Sequence, residues 1–273
     1  MTKEAIVTIQ GINQETTEQK KPSIKEKNSF IAGLLDIECG LVCKEQIRGL
    51  ENLDDIRILL EEKKPVFFMA NHLSNADAPV LQYALSRHGF SDIRHKLVFL
   101  RGIRLDKKII TKTLSNSCTH IDVWPPTVSP STPEERKQAM AMSRNSLNAI
   151  SYALENGKII MVFPEGTRSR DCQLGKGVEQ VAHYLSDETY ILPIAISGTE
   201  KILPTEKGLR SVIPVRAGAE IVFGKPFSIS ELRESVKGRN NASRKSSRQE
   251  LMDNIMGQKI APLLPNQYRG VYK

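Results

Sequence analysis

Two short segments hold the residue types that could do chemistry: Asn71-His72-Leu73-Ser74-Asn75-Ala76-Asp77 and Phe163-Pro164-Glu165-Gly166-Thr167-Arg168-Ser169-Arg170. In the first, an imidazole stands five residues ahead of a carboxylate, across a turn into an expected helix. A carboxylate so placed can hydrogen-bond one ring nitrogen, fix the tautomer and leave the other nitrogen to take a proton. This is the outer part of a catalytic triad without its own nucleophile. The chain has no Gly-x-Ser-x-Gly turn and no serine or cysteine that the sequence marks as activated. A substrate hydroxyl is then the expected nucleophile, which points to group transfer to an alcohol rather than to a covalent enzyme intermediate. The plain alternative makes Asp77 a cap near the helix start and His72 a loop residue.

The second segment is more specific. Pro164 and Gly166 make a tight turn. Glu165 is positioned to bind a polyol hydroxyl or to orient a neighbour. Arg168 suits a bidentate contact with phosphate or carboxylate, and Arg170 and Lys176 add positive charge nearby. Standing alone, the segment reads as a basic surface turn.

Each segment follows a short apolar run, and these runs define the elements that must position the chemistry. Pro65–Ala70 has the pattern of a strand buried on both faces. The spacing then predicts a helix over 78–87, a strand over 96–100, a helix over 105–114 and a strand over 119–123. Thr132-Pro133-Glu134-Glu135 has the form of a helix start, with Thr132 as N-cap, Pro133 in the first turn and Glu135 returning the capping-box bond. That helix should stop at Asn156-Gly157. Lys158–Phe163 is a strand, followed by a helix over 178–185 and strands over 190–197 and 216–223. Alternating strands and helices argue an α/β fold with a mixed, mostly parallel sheet flanked by helices. In such a sheet, ligands gather beyond the carboxyl ends of the strands. His72 and Glu165 each lie two residues past a strand end, so parallel strands would bring them to one edge.

Residues 1–28 are polar and read as a tail or loosely docked arm. Residues 29–273 read as one α/β domain, with a helical part at 29–60 and a basic segment at 231–273. The apolar faces between Phe30 and Leu60 are expected in the core, with contact to lipid as the alternative. The 273 residues carry a net charge of +8, which favours an anionic partner: a phosphorylated substrate, an acidic carrier protein, a membrane surface or nucleic acid. The basic stretches lack aromatic interleaving and any nucleic-acid motif, so a nucleic-acid partner is not expected. Cys39, Cys43, Cys118 and Cys172 form no CxxC pair and read as free thiols; no metal is expected. The N-terminus lacks an apolar signal-peptide core, and Phe30–Val42 is interrupted by Asp36 and Glu38. A chain that is soluble or held at a membrane surface is expected, in the cytoplasm or a plastid stroma-like compartment.

Taken in series, the two segments resemble the glycerol-phosphate acyltransferase superfamily: the glycerol-3-phosphate and lysophosphatidate acyltransferases. The resemblance covers roughly residues 45–225. Asn71, His72 and Asp77 match its Asn-His-x4-Asp block, and 163–169 match its Phe-Pro-Glu-Gly-Thr-Arg-Ser block. Lys176-Gly177, the strand Ile191-Leu192-Pro193-Ile194-Ala195 and the segment Ile47–Leu53 also fit. The resemblance implies that an acyl thioester, on acyl carrier protein or coenzyme A, donates its acyl group to a glycerol hydroxyl. The thioester is a co-substrate, and no further cofactor is implied. His72 would be the general base and Asp77 its orienting partner. Glu165, Gly166 and Thr167 would help hold the acceptor, and Arg168, Arg170 and Lys176 would serve its phosphate. One departure bears on the acceptor: the stretch Cys118–Pro126 does not end in the Arg that usually helps hold the phosphate. Arg101, Arg104, Lys112 or Arg144 is the expected substitute, unless the acceptor lacks a phosphate. A non-catalytic binder of anionic lipid or nucleic acid is the competing class.

Overall fold

A computed structural model describes residues 23–103, 113–114, 116–124, 129–166, 168, 181–204, 213–236 and 244–273. Its centre is β3 (Val66–Ala70), whose five residues are all fully buried. Alternate residues serve opposite faces: Phe68 and Ala70 belong to one core, Phe67 and Met69 to the other. That double burial is why the run is apolar throughout rather than alternating.

Along the sheet the order is β1 (Ile24–Lys25), β5 (His120–Val123), β4 (Leu97–Gly102), β6 (Ile159–Val162), β3, β7 (Tyr190–Ser197), β8 (Ala217–Phe223) and β2 (Cys43–Arg48); β9 (Phe227–Ser228) also pairs with β7. β3 lies parallel between β6 and β7, and β4 is parallel to both β5 and β6. The β2–β8 pair is parallel, whereas β1–β5, β7–β8 and β7–β9 are antiparallel. The fold is thus α/β, with a mixed, mostly parallel sheet flanked by helices.

On one face lie α1 (Ser29–Val42), α2 (Asn52–Glu61), α3 (Asp77–Arg87) and α4 (Ser91–Lys96), contributing Cys39, Ile56, Leu81 and Ile93 to the core. The other face is covered by α5 (Pro133–Glu155), α7 (Ile229–Val236), α8 (Arg244–Asn254) and a π-helical turn, Ile255–Ile260. A short helix, α6 (Thr199–Ile202), follows β7.

Several expectations need correction. The helical reading of 29–60 misses β2, which breaks it at Cys43–Arg48. This is an edge strand of polar composition, with only Cys43 buried. The turn out of β2 requires Gly49: its φ is +77°, and a Cβ there would sit 1.9 Å from the Phe223 carbonyl oxygen. Asn52 then donates its side-chain amide to that oxygen at 2.9 Å. The α5 cap forms as expected at Thr132, whose Oγ1 accepts from Glu135 N–H at 3.1 Å. The return bond does not form on Thr132, because the Glu135 carboxylate accepts from the Ser131 N–H and hydroxyl at 2.7 and 2.6 Å. Ile24–Lys25, in the segment read as a polar arm, pairs with the sheet edge at Ile121 and His120. The helix expected over 105–114 lies mostly outside the described residues. Of 178–185, Val181–Tyr184 forms a 3-10 turn and 178–180 lie outside them. Within the basic C-terminal segment, residues 237–243 also fall outside. No helix among the described residues is long and apolar enough to cross a membrane.

Candidate active site

Because β3 and β6 are adjacent and parallel, with Met69 level with Val162, the two segments leave the sheet side by side. Asn71 fixes the first exit. Its side chain donates to the Ile196 carbonyl and accepts from the Ile196 N–H, both at 2.8 Å, extending the β3–β7 ladder with an amide. The residue is fully buried, and both ends of its amide are satisfied.

His72 follows, with its side chain 21% exposed. Three contacts fix it. The backbone N–H donates to Glu165 Oε1 at 3.0 Å, the ring stacks on Phe163 at 4.3 Å between centroids, and Nδ1 lies 2.7 Å from Asp77 Oδ2. With Nδ1–H donating to the carboxylate, Nε2 carries the lone pair.

Asp77, the first residue of α3, is fully buried and is the node of the loop. Oδ2 also accepts from the N–H groups of Leu73 and Ser74 at 2.8 and 3.0 Å. Oδ1 accepts from the Thr199 hydroxyl, at the start of α6. The carboxylate does not cap α3, whose start has no side-chain cap bond; it gathers the preceding turn and holds the imidazole. Ser74 closes the turn by donating to the Leu203 carbonyl at 2.8 Å.

Glu165 sits in the turn after β6, where Gly166 takes a φ of +67° and returns its N–H to the Phe163 carbonyl at 3.0 Å. The carboxyl is buried, and Oε2 has no hydrogen-bond partner among the described residues. Burial pushes its pKa up to about 8, with the Asp77 charge adding to the rise and the His72 N–H opposing it. The folded chain therefore keeps a proton that the unfolded chain releases near pH 4.5. This carboxyl's contribution to stability, roughly 3–5 kcal/mol, is full below about pH 4.5 and is lost as pH rises to about 8. The Glu165→Gln variant is expected to lose this component. Thermal midpoints at about pH 5 and about pH 8.5 check it: going from the lower to the higher pH, the wild type loses ground relative to the variant.

The basic residues divide. Arg168 is half-buried beyond the turn; Thr167, Arg170 and Lys176 lie outside the described residues. Among the expected substitutes for the second phosphate ligand, Arg101 is buried on β4 and pairs through Nε and Nη2 with Asp122 on β5, at 2.7 and 2.6 Å. Arg144 is exposed on α5, and Arg104 and Lys112 lie outside the described residues. Cys39, Cys43 and Cys118 are free and buried. Burial pushes their thiols up to about 12, 11 and 11, far from thiolate reactivity. Cys172 is not among the described residues.

Sequence reasoning missed Thr199, which stands 122 positions from Asp77 in Ser197-Gly198-Thr199-Glu200 with no motif to mark it. It also missed the roles of Asn71 as a strand clamp and Phe163 as a ring platform, although both stand inside the quoted motifs.

The fold is α/β, and the family match makes it that of an acyltransferase. The acyltransferase family model matches residues 44–197, more than half of the 273, and the chain belongs to that family. The match runs from β2 to the end of β7 and includes both motif segments; Thr199 falls just beyond it. No curated protein matches the chain.

Proposed function

We propose that the protein transfers a fatty acyl group from an acyl thioester, on acyl carrier protein or coenzyme A, to a hydroxyl of glycerol 3-phosphate or 1-acylglycerol 3-phosphate. The observation that carries this reading is the 2.7 Å contact between His72 Nδ1 and a fully buried carboxylate that three further donors hold in place. An imidazole so oriented presents Nε2 as a base of fixed direction. Nε2 takes the proton from the acceptor hydroxyl as its oxygen attacks the thioester carbonyl. The tetrahedral intermediate then collapses, the C–S bond breaks, and the imidazolium returns the proton to the leaving sulfur. The products are an ester and a free thiol, and the enzyme ends as it began. Glu165, with Gly166 and Thr167, holds the acceptor hydroxyls. Arg168, with Arg170 and Lys176, binds its phosphate.

A non-phosphorylated acceptor is the second reading. It is favoured by the engagement of Arg101, on the carboxyl end of β4, with Asp122. Arg168→Ala separates the two. For a phosphorylated acceptor its KM rises about tenfold or more with kcat little changed. An unchanged KM in steady-state kinetics with glycerol 3-phosphate would remove Arg168 from the phosphate site.

A further inference from the structure

The outer face of α1 is apolar from end to end. Phe30, Leu34, Ile37 and Leu41 are 74%, 51%, 65% and 70% exposed. At helical spacing they fall within an arc of about 60°, opposite the buried Ala32 and Cys39. The inner side packs on the molecule: Ala32 and Cys39 are buried, and Asp36 pairs with Arg94 of α4 at 2.7 Å. The expectation that this helix lies in the core holds for one side only.

The stripe leads to the site edge. Where α1 ends, β2 begins level with β8, Cys43 opposite Ala217. Just ahead of Ala217 in the chain, Val215 and Ile213 are themselves 51% and 58% exposed. Since β8 runs antiparallel to β7, its start lies at the edge where β3 and β7 end. Lys44, Arg216 and Lys201 are exposed at this end of the molecule.

We propose that the outer face of α1, with Ile213 and Val215, lies in the interfacial layer of an anionic lipid bilayer and sets the site edge against the membrane. At about 21 Å, α1 is too short to span a hydrocarbon core of about 30 Å and fits only in the plane of the surface. Charge selects lipid over a second copy. Each chain carries +8, so stripe-to-stripe pairing would bring two cationic edges together, whereas anionic headgroups neutralise them.

The test is co-sedimentation of the full chain with phosphatidylcholine vesicles, with and without about 30 mol% phosphatidylglycerol. The parent is expected to bind the anionic vesicles. Replacing Phe30, Leu34, Ile37 and Leu41 together by Gln is expected to weaken partitioning by more than about tenfold, and Lys201→Gln with Arg216→Gln by roughly 30-fold. Should the fourfold variant not fold, Leu41→Trp must show a vesicle-dependent blue shift of emission absent from the parent. The proposal is overturned by a parent that stays in solution, by unchanged partitioning of the fourfold variant, or by loss of a dimer in its place. An unshifted Leu41→Trp emission overturns it equally. Binding is read without turnover, so failure here leaves the acyl-transfer reading standing, and an inactive enzyme leaves this inference standing.

Discussion

His72→Ala is expected to lower kcat by about 10²–10⁴-fold while the protein stays folded. The side chain's ties are the stack on Phe163 and one bond to Asp77. After its loss the Asp77 carboxylate still accepts from Leu73, Ser74 and Thr199, so no buried charge is stranded. The stability cost is about 1–2 kcal/mol, or a few degrees in thermal midpoint. Turnover in a thioester assay beside a melting curve on one preparation checks both halves. Activity within tenfold of wild type, on the scale of general-base effects, would sink His72 as the base.

Asp77→Ala is expected to be worse in both respects. Four groups turn to this one carboxylate: the His72 ring, two backbone N–H groups and the Thr199 hydroxyl. Removing it leaves buried donors unpaired, at about 1–3 kcal/mol for each one that water cannot reach. A total on the order of 4 kcal/mol lowers the midpoint by about 10 °C. Asp77→Asn keeps the shape and an acceptor oxygen but loses the charge. It should melt near the wild type and still lose about 10²–10⁴ in kcat. If Asp77→Ala melts like the wild type, the carboxylate is not the node of this loop.

What could be read beforehand follows the range of the interactions. β3, β6 and β7 announce themselves because double burial makes each run apolar, and the residues past the ends of β3 and β6 carry the motifs. The same logic fails for β2: Cys-Lys-Glu-Gln-Ile-Arg is an edge strand with little to bury, so its pattern blends into the flanking helices. The His72–Asp77 pair is local and visible in spacing. Its third support, Thr199, reaches it through the packing of β7 beside β3, which no short window encodes. The same holds for Arg101 and Asp122, which meet only because β4 and β5 are in register. Apolar spacing marks α1 as a helix but does not say which side faces inward; the burial of Ala32 and Cys39 decides that in three dimensions.

The most direct test of the account is simultaneous measurement of free thiol and ester from an acyl thioester, with glycerol 3-phosphate and 1-acylglycerol 3-phosphate offered in competition with non-phosphorylated alcohols. The account predicts thiol release only with acceptor present, one ester formed per thiol, and preference for a phosphorylated acceptor. Thiol released at the same rate without acceptor, or an ester formed equally well on alcohols lacking phosphate, would contradict it.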